Sequence, residues 1–508
     1  MGYHFLVFFL LVFFLLLWSK IFIDALKKTD IPYIKIAACI ICVCLFKCDW
    51  GIHFWGLEYE DAYSFSAYAR QLSFGITSDS LRLQCVDIGS LLDPQSLGTY
   101  GGHYITYPIF LYLFTSIFGF SITSISLVNS VISLLSLLTI AFYKYPNKYG
   151  WFIGVLLFCL APAVNLFSTC FLSESFSSFL CLCFVLSYFD RNNHNSILFR
   201  IFILVSFLLC ILTKRDNTVI LIVPAIYSLY ALWNKNYKLA LNEIIPFVII
   251  LILSTLFIHN FLIAEVEESS DISQSTFSFD IFCSQLPIYL KSLFSFTYFN
   301  ICMALFLFVI VLNIILRRFD IRLTCLVALF FVSLLMYSSH YRGYYFVENL
   351  EPLSEFVTFR YINNFFYAIP LFIALSFRLH QKYIMPIIVT LSILSLGSIL
   401  LTYNLRITNN NEEYNLRFRD IEIIDEIVTN NDVVITDVPL LFLNVSTPDR
   451  YICNIQRISD INFNAPHKFY FYVDDWSIVD KRYNLGLSKY NKRLIKTLPS
   501  DKKLYLIE

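Results

Sequence analysis

Apolar runs of about twenty residues recur along this chain, and no other feature constrains its fold as strongly. The first, "FLVFFLLVFFLLLW", lies near the start, and similar runs return with short polar breaks to about residue 403. A run of that length crosses the hydrocarbon of a bilayer as a helix. Lipid offers backbone N–H and C=O groups no other partner, so the spans must be helical. The 508 residues are 58% hydrophobic and only 15% charged, with 52 Phe and 33 Tyr. The mean hydropathy is +0.67. The expectation is a polytopic α-helical membrane protein with about 12 transmembrane helices.

The spans read at roughly 4–24, 33–53, 121–143, 151–169, 174–189, 197–212, 217–233, 243–263, 298–316, 322–338, 359–377 and 383–403. The piece "YPIFLYLFTSIFGF" before the third span is too short to cross and reads as an interfacial or re-entrant helix. The first run has no basic leader and no clear small-residue cleavage site, so it is expected to be a retained span.

Charge then orders the connections. Alternate ones carry Lys20, Lys27, Lys28 and Lys35; Lys144 and Lys148; Arg191 and Arg200; Lys235 and Lys238; Arg317, Arg318 and Arg322; Arg378 and Lys382. The other set holds acidic pieces such as "AEVEESSDIS". The positive-inside rule puts the basic set in the cytoplasm. Residues 54–120, the "SE" at 173–174, "TKRDN" at 213–217, 264–297, 339–358 and the tail then face outward.

The chain divides into a membrane part, 1–403, and a polar tail, 404–508. In the tail, "YNLRFRDIEIIDEIV" reads as an amphipathic helix, and "DVVITDV", "YICNI", "KFYFYV" and "KLYLI" read as strands. A small extracytoplasmic α/β domain is expected there. It has no Gly-rich phosphate loop, and no repeat runs through the chain. The formal net charge is zero, so nucleic acid is not an expected partner. Most of the 14 cysteines lie in apolar runs and read as small core hydrophobes. Cys85, Cys283 and Cys453 fall outside the spans, where a disulfide is open.

The stretch "GLEYEDAYSFSAYARQL", residues 56–72, opens the first large outer loop, with Glu58, Glu60 and Asp61 within four positions. Ala62, Phe65, Ala69 and Leu72 share one face of a helix starting near Asp61. Two acids at its start can simply cap it. An acidic pair followed by a small and aromatic run in this loop also resembles the GT-C class of membrane glycosyltransferases, which includes protein O-mannosyltransferases and aminoarabinose transferases. Four further segments carry the resemblance in the same order: "GGHYITYPIFLYLFTSIFG" at 101–119, "FLSESFSSFLCLCFVL" at 171–186, "LTKRDNTVILIVP" at 212–224 and "FRYINNFFYAIPLFIAL" at 359–375. Relatives commonly have Asp before Glu, the reverse of Glu60-Asp61.

The resemblance implies a GT-C-like fold over residues 50–405. It also implies transfer of a sugar, with inversion, from a polyprenyl-phosphate-linked donor to an extracytoplasmic glycan, lipid or protein. Such a reaction needs a carboxylate to take the acceptor's proton and cations to hold the departing phosphate. Asp61 and Glu60 are the candidate base, and Arg215, Lys214 and Arg360 the candidate phosphate ligands. An outer basic pair such as Lys214-Arg215 runs against the charge trend of the loops. Glu174 enters a span among serines, where a carboxylate is costly; it can orient the acceptor, join a metal site or pair with Arg215. His103, Tyr107 and Arg342 are further acceptor or metal-site candidates. The resemblance fixes no cofactor, and a divalent metal ion stays open. The implied partners are the lipid-linked donor, the acceptor and membrane lipids. The implied location is a bacterial inner membrane, with site and tail facing the periplasm or exterior.

Three rivals have their own signatures. A polysaccharide polymerase or ligase would centre on Arg and His in a large late outer loop; residues 339–358 contain both but are few. A transporter or flippase would show charges within spans, broken helices or paired repeats. An inactive scaffold would be indifferent to replacement of Asp61.

Overall fold

The computed structural model describes residues 2–47, 106–119, 122–160, 173–194, 196–258, 279–293, 300–339, 365–376, 412–429, 432–436, 451–455, 467–473 and 486–507, with single positions in 65–72, 386–400 and 458–463.

Over the described residues most helices coincide with the expected spans, and one further helix, Phe279–Leu293, forms within the 264–297 stretch expected as an outer connection. In chain order they are α1 (Gly2–Lys27), α2 (Pro32–Cys42, continued by a π turn at Val43–Lys47), α3 (Thr106–Phe118), α4 (Ile122–Phe142), α5 (Gly150–Leu160), α6 (Glu174–Asp190), α7 (Ile197–Thr213), α8 (Ile222–Trp233), α9 (Tyr237–Ile258), α10 (Phe279–Leu293), α11 (Asn300–Ile315), α12 (Ile321–Ser338) and α13 (Ala368–Ser376). Among the described residues, four segments are long and apolar enough to cross a membrane: Phe5–Lys27, Asp216–Trp233, Tyr237–Leu256 and Ile321–Ser338. The other apolar helices are shorter over the described residues, and isolated positions between 386 and 400 are helical. The chain is a polytopic α-helical membrane protein.

α6 is the axis of the bundle. It is apolar all round and buried along nearly its whole length, which is the signature of a helix enclosed by others. Phe14 of α1 stacks on Phe202 of α7 and meets Phe179 of α6 edge-on. Trp18 of α1 donates from Nε1 to Thr139 Oγ1 of α4 at 3.0 Å. α3 has 13 residues, about 20 Å of helix, too little to span. Its first half, Thr106 to Leu111, is buried, while Ser116, Ile117 and Phe118 are exposed. It is therefore inserted into the bundle from one end rather than laid along the surface.

The polar contacts sort the helix ends into two sets. At one end the Lys35 Nζ donates to the Ala141 carbonyl at 2.7 Å, at the C-terminus of α4, where a cation satisfies an orphan acceptor. Phe22 of α1 meets Phe142 there. Arg191, just past α6, donates to Glu243 Oε1 of α9 at 2.7 Å. Its guanidinium lies between the rings of Tyr188 and Tyr227, 4.1 Å from each centroid. Arg322 of α12 hydrogen-bonds Tyr143. This "Lys35 end" brings together Lys35, Arg191 and Arg322, three of the basic residues that the charge pattern groups. The opposite end carries the starts of α3 and α6 and the end of α7.

The tail forms a small α/β unit. Helix α14 (Glu412–Ile427) packs Asp420, Ile421 and Ile424 inward. The five-stranded sheet has the order β2-β1-β3-β5-β4. β1 (Val433–Thr436) runs parallel to both β2 (Tyr451–Asn454) and β3 (Phe469–Val473). β5 (Lys503–Ile507) is antiparallel to β3 and to β4 (Lys492–Thr497). The four expected strands are present, and β4 is an addition. Its sequence, "KRLIKT", is wholly exposed at the sheet edge, so it carries no buried face for a pattern to show. Cys283 is an exposed free thiol, Cys453 is buried in β2, and Cys85 lies outside the described residues.

Candidate active site at the Glu174 end

The second end of the bundle is built around the first residue of its most buried helix. Glu174 opens α6 and has no exposed surface. A carboxylate in that position needs a cation, and Lys214 supplies it. α7 ends at Thr213, whose Oγ1 donates back to the Leu209 carbonyl at 2.7 Å. Lys214 follows in extended conformation, φ −159° and ψ 131°, which turns the chain before the 3-10 segment Arg215–Leu221. Its Nζ donates to Glu174 Oε1 at 3.2 Å and lies 4.0 Å from Asp216 Oδ2.

Amide and hydroxyl groups fix this hairpin of helices. Ser177, one turn into α6, donates to Asn217 Oδ1 at 2.8 Å. Asn217 Nδ2 donates to the Cys210 carbonyl at 2.8 Å, so one side chain ties α6 to the end of α7. Thr106 Oγ1, at the start of α3, donates to the Leu212 carbonyl. Tyr107 is fully buried; its hydroxyl donates to Asn129 Oδ1 of α4 at 3.1 Å. Its ring lies 5.8 Å from that of Phe176, which stacks on Phe110 at 4.5 Å. Phe65, from the helix of the acidic stretch, meets Tyr107 edge-on at 5.3 Å. Positions 65, 66, 69, 70 and 72 are helical, with Phe65, Ser66 and Ala69 buried.

Three widely separated sequence segments therefore meet at one place: 106–107, 173–177 and 212–217. The helix at 65–72 abuts them. Of the candidates read from sequence, Glu174, Lys214 and Tyr107 belong to this cluster. Among the described side chains, the Lys214 ammonium is the cation seen at Glu174. Arg215 begins the 3-10 turn beside it, and its side chain lies outside the described residues, as do Glu60, Asp61, His103, Arg342 and Arg360. Tyr107 forms part of the wall, its hydroxyl engaged by Asn129. Sequence reasoning missed Thr106, Ser177 and Asn129; a buried amide such as Asn129 inside an apolar run is the signal that points to such groups. Among the described residues no cluster of three or more His, Cys, Asp or Glu side chains is placed to hold a metal.

No protein-family model and no curated protein sequence matches the chain. Solved structures do. ArnT from Cupriavidus metallidurans in the apo state superposes with a TM-score of 0.63 at 9% identity, covering 95% of this chain and 98% of that one. The same enzyme bound to undecaprenyl phosphate gives 0.60 at 9% identity, covering 96% and 98%. The fold is that of ArnT. The GT-C-like architecture expected from the sequence is thus present, and the ArnT likeness runs through bundle and tail alike.

Proposed function

We propose that the chain is a membrane glycosyltransferase that moves a sugar from a polyprenyl-phosphate-linked donor to an acceptor glycan, lipid or protein, with inversion at the sugar carbon. The observation that carries this reading is the buried Glu174–Lys214 pair at one end of an ArnT-like bundle, beside the helix that follows the acidic stretch. ArnT itself is described bound to undecaprenyl phosphate, which supports a lipid carrier of that class here. Lys214 and Arg215, with Arg360, are assigned to the donor phosphate, where fixed cations stabilise the leaving charge. Glu174 holds the Lys214 ammonium in place. Asp61 or Glu60 takes the acceptor's proton. The membrane part, 1–403, carries the chemistry, and the tail, 404–508, covers it from the periplasmic side of a bacterial inner membrane.

The test is release of free polyprenyl phosphate by the purified chain from a panel of polyprenyl-phosphate sugars, with an envelope extract as acceptor. The parent is expected to release it. Asp61→Asn or Glu60→Gln is expected to abolish release, naming the base, and Lys214→Met to reduce it by about a hundredfold or more. Unchanged release in all three folded variants would remove these residues from the reaction.

A further inference from the structure

The C-terminal sheet is covered at its centre and bare at one edge. β1 and β3 are buried at every residue, whereas β4 is exposed at every residue. The register shows where the cover stops. Tyr472 of β3 stands opposite Leu504 of β5 and donates to Asp420 of α14 at 3.0 Å, so α14 covers that face. Leu504 is buried, but Lys496, its neighbour on β4, is exposed. On the other face Tyr490 meets Phe471 of β3 edge-on, and Leu494, one strand beyond Tyr505, is exposed. The β4–β5 ribbon is nonetheless fixed. Leu498 N–H donates to the Lys502 carbonyl at 2.8 Å and closes its turn, and Ser500 N–H donates to Asp420 at 3.2 Å and fastens the turn to α14.

This bare edge is also where the tail keeps its positive charge. Residues 481–503 hold eight Lys and Arg against Asp501 alone, while acids outnumber cations about two to one over 404–480. Lys489, Lys492, Arg493, Lys496 and Lys503 are all exposed, around the exposed Leu494 and Ile495. By register Arg493 and Lys496 share one face with Leu506 and Leu504, and Lys492 and Lys503 the other, so the cations flank the edge on both sides. Cations on an edge strand deter pairing with another chain, and the irregularity between Leu494 and Lys496 adds to that guard. Such a guard acts on β4 itself. It does not call for Lys489 ahead of the strand and Lys503 on β5, nor for bare aliphatic side chains among them. Cations set around exposed aliphatic groups suit a surface of anionic headgroups over hydrocarbon. That surface is within reach, because the chain from helical Leu400, in the last apolar run, to Glu412 of α14 extends at most about 40 Å.

We propose that the β4–β5 ribbon docks on the anionic phospholipid headgroups of the bilayer that its own chain crosses. The five exposed cations meet headgroup phosphates, and Leu494 and Ile495 meet the acyl boundary. The contact stands apart from the transferase reading and holds on whichever side of the membrane the tail lies.

The experiment uses the full chain in nanodiscs of phosphatidylcholine, alone or with about a third phosphatidylglycerol. Leu494→p-benzoylphenylalanine supplies a photoreactive group whose adduct names its neighbour by mass, and Glu422→p-benzoylphenylalanine, on the exposed side of α14, is the comparison. Lipid adducts at 494 are expected to rise about tenfold with phosphatidylglycerol, to fall back in about 0.5 M salt, and to exceed those at 422. Lys489→Glu, Lys496→Glu and Lys503→Glu combined are expected to remove the gain, and the salt series tests the same charges in a chain that keeps them. Yields that are equal in the two lipids, equal at 494 and 422, or indifferent to both salt and charge reversal overturn the proposal. Adducts to protein alone overturn it too, and assign the edge to strand addition.

Discussion

Glu174 and Lys214 differ in how far water reaches them: the Glu174 side chain is 0% exposed and that of Lys214 14%. Lys214 also has Asp216 at 4.0 Å, so it keeps an acidic neighbour if Glu174 is neutralised. The two halves of the pair are therefore unequal. Glu174→Gln keeps the shape and is expected to cost about 1 kcal/mol. Lys214→Met removes the cation from a carboxylate without exposed surface and is expected to cost about 3 kcal/mol. Thermal unfolding of the two variants in detergent measures the difference; equal losses, or a larger loss for Glu174→Gln, would contradict this account. At this scale the sequence shows the parts but not the pairing. An acid entering a span and a cation on the wrong side of the charge trend are both visible. Lys214 reaches Glu174 because α7 ends at Thr213 and the extended backbone there turns back across the hairpin, while the expected pairing with Arg215 falls on a side chain outside the described residues. Tyr107 and Asn129 meet only because α3 is inserted against α4.

Helices in this chain are held by how closely they approach as well as by what they bury. Gly154 of α5 shows this: a Cβ there would lie 2.9 Å from Ile140 Cγ2 of α4 and 3.5 Å from Ala374 Cβ of α13. Small residues at membrane helix crossings permit that approach. Gly154→Leu is expected to separate α5 from both neighbours and destabilise the bundle by about 2 kcal/mol, with Gly154→Ala less harmful. A melting series of the three proteins checks the order; a leucine variant as stable as the parent would mean the crossing has room the geometry does not show. α12 is set differently, by its cap. Asp320 accepts from the Leu323 N–H at 3.0 Å and also binds Arg322 at 2.8 Å. Asp320→Ala is expected to lower stability by about 1 kcal/mol and to fray the first turn, seen as faster amide exchange at 321–324. The apolar helices were legible because burial in lipid or in the bundle writes itself as composition. β4 was not, because it is held by backbone pairing to β5 while its side chains face solvent.

Across the whole molecule, charge and geometry agree on two ends but arrive there separately. The charge pattern groups Lys35, Lys144, Arg191, Lys238 and Arg322 from connections far apart in sequence. The bonds Lys35–Ala141, Arg191–Glu243 and Arg322–Tyr143 bring three of these residues and their helix ends to one side of the bundle. The Glu174–Lys214 pair lies at the other ends of α6 and α7. Helices of α6 and α7 length, 17 residues each, rise about 25 Å, so the two clusters stand nearly a hydrocarbon thickness apart. If the basic end is cytoplasmic, Glu174 and the helical positions within 65–72 beside it must face the other side. Fusions in Escherichia coli read this directly. If the tail is exported, as proposed, alkaline phosphatase joined after residue 508 is active and green fluorescent protein at the same point dark. A fluorescent protein inserted between Asn192 and Ser196 is expected to glow. The reverse pattern at both points would invert the molecule. The Glu174–Lys214 pair would then face cytoplasmic donors, and the proposed transfer from a lipid-linked sugar on the far side of the membrane would be untenable.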